Sequence, residues 1–116
     1  MPLIRIATAK PLSEEQQDLL KQELGRTISV IPEKAEDNTM IEISLGQTIY
    51  FRGVRKESAA FVEVKLFTKA PREAMEAFAG HIFSALEKIA GIAPEDVYMN
   101  YLAYDNWGLR GKLFFG

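Results

Sequence analysis

The chain has 116 residues, 47% of them hydrophobic, which predicts one folded domain and excludes wholesale disorder. The net charge is −2 and acidic and basic residues are interspersed, so we expect neither a nucleic-acid surface nor a membrane surface. The lack of cysteine excludes disulfides and thiolate chemistry, and a single histidine excludes a histidine-rich metal centre.

The first half of the chain predicts a strand, a helix and a second strand. In residues 2–8, Ile4 and Ile6 alternate with Leu3 and Arg5 on the other face, which predicts a strand. Residues 13–30 repeat an apolar side chain every fourth position behind the N-cap Ser13, which predicts an amphipathic helix that ends before Pro32. Residues 39–45 alternate again and predict the second strand.

The second half follows the same order. Residues 59–67 alternate and predict a strand, residues 71–91 carry a helical apolar stripe, and residues 97–104 form a strand-like run rich in aromatic side chains. Residues 46–58 connect the two halves, and we expect short edge pairing there around residues 48–51.

The two halves superpose at an offset of 58 positions. Ile4 corresponds to Val62 and Ile6 to Val64, and the helical stripes correspond in the same way. The acidic pair at residues 36–37 matches the pair at 95–96 better at an offset of 59, so a one-residue slip before the last strands stays open.

A single domain over residues 1–116 therefore contains two β-α-β pseudo-repeats, about 2–57 and 58–116. Each helix crosses over between parallel strands, and such crossovers are right-handed. We predict an α/β (α+β) fold, a four-stranded mixed sheet with two helices on one face.

The sheet face opposite to the helices has a mixed character. Apolar, aromatic and charged side chains share it, namely Leu3, Arg5, Glu42, Ser44, Phe61, Glu63, Lys65, Tyr98, Asn100 and Leu102. One interpretation is a solvated face, which many antiparallel sheets have. The other is a symmetric oligomer whose sheet faces meet around a polar lumen.

Three stretches carry a family resemblance. The N-terminal Met1-Pro2, the segment SAAFVEVKLF (58–67) and the segment APEDVYMNYLAYDNWG (93–108) resemble the tautomerase superfamily, in particular the group of macrophage migration inhibitory factor and D-dopachrome tautomerase. The resemblance covers nearly the whole chain. It implies the tautomerase fold, removal of Met1 and a homotrimer with active sites at the subunit boundaries.

The resemblance also implies site residues. It assigns the catalytic base to the Pro2 amine and substrate-binding roles to Lys34, Phe67, Tyr98, Asn100 and Trp107, with no metal and no cofactor. Lys34 corresponds to a pocket lysine, and Phe67 to a backbone contact with the substrate carboxylate. The resemblance also implies that the neighbouring subunit supplies Tyr98 and Asn100.

A terminal proline suits the chemistry that this family performs. Keto–enol tautomerisation needs a base that titrates near neutral pH and can also return the proton. An α-amine titrates closer to neutrality than a lysine, and we expect apolar walls and a nearby Lys34 to lower its pKa further. The nitrogen of Pro2 is an amide without basicity until Met1 is removed. His81 also titrates in this range, but its position within the second helix is typical of an ordinary histidine.

The other site residues have structural interpretations as well. Lys34 is compatible with a solvated loop lysine, and Tyr98 and Trp107 with core or interface aromatics. Asn100 is less easily explained, because asparagine is depleted in strand interiors and a buried amide needs hydrogen-bond partners.

We expect a keto–enol tautomerase, an isomerase, of phenylpyruvate-like 2-oxo acids. Its partners would be the small 2-oxo or enol acid and further copies of the chain. We expect it in the cytoplasm, since the sequence has no membrane-length apolar run and no secretory signal. The alternative is a trimeric binding or signalling protein with vestigial tautomerase activity.

A third reading keeps an enzyme but changes its reaction to dehalogenation or decarboxylation, as in other branches of the superfamily. Those branches usually add an arginine pair to the pocket, and no arginine of this chain falls on a matched site position. Leu12 stands where 4-oxalocrotonate tautomerases carry a catalytic arginine, which argues against muconate-type substrates.

Overall fold

Two β-α-β units lie side by side in the computed structural model, which describes residues 1–116. The first unit contains β1 (Pro2–Thr8), α1 (Glu14–Thr27) and β2 (Met40–Ser44), followed by a small hairpin of β3 (Tyr50–Phe51) and β4 (Val54–Arg55). The second contains β5 (Ala60–Phe67), α2 (Arg72–Lys88) and β6 (Val97–Tyr104), followed by a hairpin of β7 (Asn106–Leu109) and β8 (Lys112–Phe115).

The main sheet has four strands in the order β2-β1-β5-β6. The two outer pairs, β1–β2 and β5–β6, are parallel, as the crossover helices require, whereas the central pair β1–β5 is antiparallel. Both helices cover one face. The predicted four-stranded mixed sheet with two helices on one face is therefore confirmed.

The offset of 58 holds through both strand pairs. Leu3 pairs with Met40 in the first unit. Phe61, 58 positions after Leu3, pairs with Tyr98, 58 positions after Met40, in the second unit. Short 3₁₀ helices precede the last strand of each unit at the same offset, over Glu36–Asn38 and Pro94–Asp96. The one-residue slip that the acidic pairs left open does not occur.

The ends of α1 follow from local hydrogen bonds. The Ser13 hydroxyl accepts from the Gln16 N–H at 3.1 Å, and the Gln16 side chain accepts from the Ser13 N–H at 2.9 Å, which completes a capping box. The α-helix ends at Thr27 and continues as a 3₁₀ turn over Ile28–Val30, so the predicted segment 13–30 is helical from Glu14 onward but changes type in its last turn.

The core lies between the helices and the covered face of the sheet. Its large, almost fully buried side chains come from both units and include Ile4, Ile6, Leu20, Leu24, Val62, Val64, Phe78, Ile82 and Leu86. Burial of each such side chain contributes about 1.5–3 kcal/mol to folding. The apolar side chains of both helices pack on this face of the sheet. This packing fixes the orientation of β1 and β5, including the start of β1 and the end of β5.

The opposite face of the sheet carries the mixed set of side chains that the sequence predicted. At its centre, the Arg5 Nε lies 2.6 Å from the Glu42 Oε1, and the Arg5 Nη1 lies 3.8 Å from the Glu63 Oε2. Apolar side chains nearby are exposed, including Leu102 at 53% and Phe61 at 39%. In the single chain, this ion cluster is thus bordered by uncovered apolar surface.

Each hairpin is closed by a two-residue loop, Arg52-Gly53 or Arg110-Gly111, in which both residues have positive φ. This is the requirement of the type I′ turn, which matches the twist of the flanking strands. The expected pairing around residues 48–51 occurs at Tyr50–Phe51, within this first hairpin. The second hairpin was not predicted from the sequence. Neither helix of the chain has the length and apolar character to span a membrane.

Candidate active site

The N-terminus lies along the end of β5. Pro2 is buried and pairs with Leu66 across the central antiparallel pair, and the Phe67 N–H donates to the Met1 carbonyl oxygen at 3.3 Å. The β1–β5 ladder thus extends to the first residue, which holds the start of the chain against the sheet.

Lys34 reaches this end of the sheet from the connection between α1 and β2. Its side chain is only 9% exposed, and its Nζ donates to the Phe67 carbonyl oxygen at 2.9 Å. A turn places it there, since the Lys34 N–H donates to the Ile31 carbonyl at 3.1 Å. The interpretation of Lys34 as a solvated loop lysine is therefore wrong.

The terminal amine lies close to Lys34 and is perturbed by it. Partial burial and, next, the positive charge and hydrogen bond of Lys34 lower the pKa of the Met1 amine from 8.0 to about 6. Both causes penalise the protonated amine, because burial removes water from the charge and the ammonium repels it. An amine at this place is largely neutral at pH 7.

Aromatic side chains stand beyond Phe67 at the same end of the sheet. The Thr68 N–H donates to the Tyr104 carbonyl at 2.7 Å, and the ring of Trp107 meets that of Tyr104 edge-on, with 6.3 Å between the centroids. The C-terminal Gly116 lies directly against Phe67 and Thr68. The last strand and the C-terminal hairpin therefore bring Trp107 to the Pro2 end of the molecule.

Tyr98 and Asn100 lie elsewhere on the same chain. Pro2 pairs with Leu66 and Leu66 with Ala103, so Asn100 and Tyr98 are about 10 Å and about 17 Å further along β6, two strands away from Pro2. Both are exposed, Tyr98 at 61%, on the face away from the helices. One chain brings Pro2, Lys34 and Phe67 together and places Trp107 at the same end of the sheet, but it does not bring Tyr98 or Asn100 to them.

Tyr98 instead borders a separate apolar cavity. Its ring contacts that of Phe51 edge-on, with 4.9 Å between centroids, beneath the first hairpin. The cavity there measures about 460 Å³, and Ala7, Ile49 and Phe61 also line it. It opens at the end of the sheet opposite to Pro2.

Two neighbours of the site were not predicted from the sequence. Tyr104 supports both Thr68 and Trp107, and Thr68 itself has a positive φ of 67° directly after Phe67. The aromatic run of the last strand is the only sequence signal that pointed toward Tyr104. A left-handed threonine has no sequence signal, because β-branched residues rarely adopt that backbone.

No protein-family model matches the sequence, and no curated protein sequence matches it. Solved structures do match. Leishmania major MIF2 superposes with a TM-score of 0.90 over 98% of this chain and 97% of that chain, at 24% sequence identity. The macrophage migration inhibitory factor-like protein of Entamoeba histolytica superposes with a TM-score of 0.83 over 97% and 98%, at 21% identity.

The chain has the fold of macrophage migration inhibitory factor. The tautomerase-type fold that the resemblance implied is thereby confirmed. A malonate semialdehyde decarboxylase, whose decarboxylase and hydratase activities have been explained structurally, shares the fold with a TM-score of 0.72 over 95% of this chain and 92% of that chain, at 16% identity. One fold therefore carries several chemistries, and the site must decide between them.

Proposed function

We propose that this protein is a keto–enol tautomerase, an isomerase that acts on phenylpyruvate-like 2-oxo acids with the Pro2 amine as general base and acid. The observation that carries the proposal is the cluster at the end of β1, where the chain's terminal amine, the Lys34 ammonium and the Phe67 carbonyl meet. In this cluster an amine loses its proton near neutral pH, as the reaction requires.

The proposal includes removal of Met1. This step converts the nitrogen of Pro2 from an amide into a secondary amine one residue further into the sheet. Pro2 is buried whereas Met1 is half-buried, and Lys34 stays in place, so the two causes that lower the pKa of the Met1 amine also act on the Pro2 amine.

The proton then follows a short path. The neutral Pro2 amine takes the proton from the carbon next to the keto group, and the electron pair of that C–H bond moves toward the carbonyl oxygen. The prolinium returns a proton to oxygen and gives the enol, and the reverse sequence gives the keto acid. No cofactor or metal takes part in the proposed reaction.

Lys34 binds the substrate carboxylate in this proposal. Its ammonium has three N–H donors, of which the Phe67 carbonyl accepts one and the terminal amine a second, so one remains for a carboxylate. Trp107 and the ring of Phe67 offer apolar surface for the aromatic ring of a phenylpyruvate-like acid.

The complete site requires a second subunit. We propose a homotrimer in which Tyr98 and Asn100 of one subunit complete the pocket around Pro2 of the next. Their distance from Pro2 within one chain and their exposure support this arrangement, as does the uncovered apolar surface around the Arg5 cluster. In the trimer, Arg5, Glu42 and Glu63 line a polar lumen.

A screen of 2-oxo and enol acids tests the proposed function. We expect turnover by the natural chain, reduced turnover by Pro2→Ala, and an intact mass that lacks Met1. A variant shown by mass to retain Met1 should be inactive because its Pro2 nitrogen is an amide. Full activity with Met1 retained would show that the proton goes elsewhere.

The names of the structural neighbours favour one further candidate. A MIF-like binding or signalling protein would keep the fold and the trimer but hold only vestigial tautomerase activity. A kcat/KM above about 10⁴ M⁻¹s⁻¹ on any 2-oxo acid supports the enzyme, because that is the lower end for working enzymes. Far lower values with every acid favour the binding protein. We place either protein in the cytoplasm, which cell fractionation tests.

A further inference from the structure

Four residues other than glycine have a positive φ in this chain. Arg52 and Arg110 have structural reasons for it, since each precedes a glycine in a type I′ hairpin turn. The other two are Glu33 and Thr68, with φ values of 68° and 67°. Glu33 directly precedes Lys34, and Thr68 directly follows Phe67, so these two left-handed residues flank the Lys34–Phe67 hydrogen bond on its two sides.

Their own side chains give no reason for this backbone. Glu33 is exposed and forms no ion pair, and the Thr68 hydroxyl forms no hydrogen bond. A left-handed backbone is unfavourable for both, most of all for the β-branched threonine. Such residues persist only where the surrounding structure over-determines them, and they cluster at functional sites.

The left-handed conformation of Glu33 directs Lys34 toward the site. The Lys34 N–H bonds the Ile31 carbonyl, which makes residues 31–34 a β-turn with Pro32 and Glu33 at its centre. Proline at the second position and a positive φ at the third are the features of a type II turn, which normally has glycine or asparagine at the third. This turn carries the chain from α1 to the buried position of Lys34.

The left-handed conformation of Thr68 directly follows the peptide group that bonds to Lys34. The Phe67 carbonyl and the Thr68 N–H belong to this one trans peptide group and point in opposite directions, the N–H to the Tyr104 carbonyl on β6 and the carbonyl to the Lys34 ammonium. Because both ends of the group are bonded, the chain changes direction at the next rotatable bond, the N–Cα bond of Thr68, whose φ is 67°.

We infer that Glu33 and Thr68 are positioning residues of the proposed site, and that the Lys34–Phe67 hydrogen bond in turn holds both residues in their strained conformations. That these two residues serve an active site rests on the proposed function, whereas the mutual dependence of backbone strain and hydrogen bond does not. It follows that the strain at Thr68 should disappear when Lys34 can no longer bond to Phe67.

A double-mutant cycle on unfolding equilibria tests this dependence. With Lys34 present, Thr68→Gly relieves strain, and we expect the folding equilibrium constant to rise about threefold or more. In a Lys34→Met background the strain is already released, so the same substitution should only add disorder to the unfolded chain and lower the constant about threefold. The resulting coupling is on the order of tenfold.

Arg110→Gly is the matched control. Arg110 has the same backbone sign, is exposed and belongs to a hairpin that does not involve Lys34. Its substitution should change stability equally in both backgrounds. Equal effects of Thr68→Gly in both backgrounds would overturn the inference.

A second measurement does not depend on folding of the Lys34 variant. NMR titration of the N-terminal amine in Glu33→Val should show its pKa displaced upward, because a β-branched residue disfavours the left-handed backbone and a freer Lys34 spends less time beside the amine. Glu33→Gly and Glu33→Asn, which tolerate the left-handed backbone, should keep the original value, as should Arg110→Gly. An unchanged pKa in Glu33→Val would contradict the inference. Neither measurement needs turnover, so failure of the tautomerase assay and failure of this inference remain distinguishable.

Discussion

The Nζ of Lys34 donates to the carbonyl oxygen of Phe67 at 2.9 Å, although the two residues belong to different β-α-β units. This bond joins the connection after α1 to the end of β5 at the place where β1 begins. The terminal amine, the Lys34 ammonium and the Phe67 carbonyl therefore lie together at this end of the sheet.

The first prediction concerns the pH dependence of turnover. We expect kcat/KM to rise with pH and to level off once the Pro2 amine is neutral, with an apparent pKa below that of an exposed terminal amine. Lys34→Ala should move the rising limb to higher pH, because the charge that disfavours prolinium is gone, and should raise KM by loss of the carboxylate contact.

The matched control for this profile is Lys88→Ala, which removes an exposed lysine at the end of α2. It should leave both the limb and KM unchanged. A limb that stays in place in Lys34→Ala would contradict the role given to Lys34.

The second prediction concerns the stability of the chain that retains Met1. The pKa of its amine is about 6 in the folded state and 8.0 for a free terminus, so the unfolded chain binds more protons between these pH values. The free energy of unfolding should therefore rise from pH 6 to pH 8 and stay level above pH 8, and this contribution is lost as the pH falls from 8 through 6. Lys34→Ala should flatten the rise, and Lys88→Ala should not. Denaturant titrations across this pH range measure it.

The third prediction concerns Asn100. Asn100→Ala should weaken turnover of phenylpyruvate enol by about ten- to a hundredfold, which corresponds to roughly 1–3 kcal/mol for one lost hydrogen bond. The oligomer should survive, because the substitution removes no apolar surface. Asn38→Ala changes an exposed asparagine of a 3₁₀ helix and should have no effect. Unchanged turnover in Asn100→Ala would make Asn100 a structural residue.

The fourth prediction concerns assembly. Light scattering should give three times the 13.1 kDa mass of one chain at micromolar concentration. Arg5→Glu places a third acid beside Glu42 and Glu63, so it should shift the protein toward monomers and reduce turnover in parallel. Arg72→Glu, an exposed change on α2, should leave the mass unaltered. A monomeric natural chain would remove the shared site as well.

The fold was within reach of the sequence because its signals are periodic and local. Alternation in residues 2–8 and 59–67 and the aromatic-rich run over residues 97–104 identified the long strands, and the match of Ile4 and Ile6 to the second half identified the repeat. In a strand, buried and exposed side chains alternate, and in a helix the buried side chains recur every turn. The positions of apolar residues in the sequence therefore indicate the element before any tertiary contact is known. The segments that resemble tautomerases added Pro2 and its companions as expectations.

The tertiary structure alone decided how the candidate site is built. The bond between the buried Lys34 and the Phe67 carbonyl is a contact between the two units, and the left-handed backbones of Glu33 and Thr68 lie on either side of it. None of these features has a period in the sequence. The position of Tyr98 far from Pro2 along β6 was decided by strand register in the same way. Local preference favours an exposed lysine and a right-handed or extended threonine, and here long-range hydrogen bonding outweighs both.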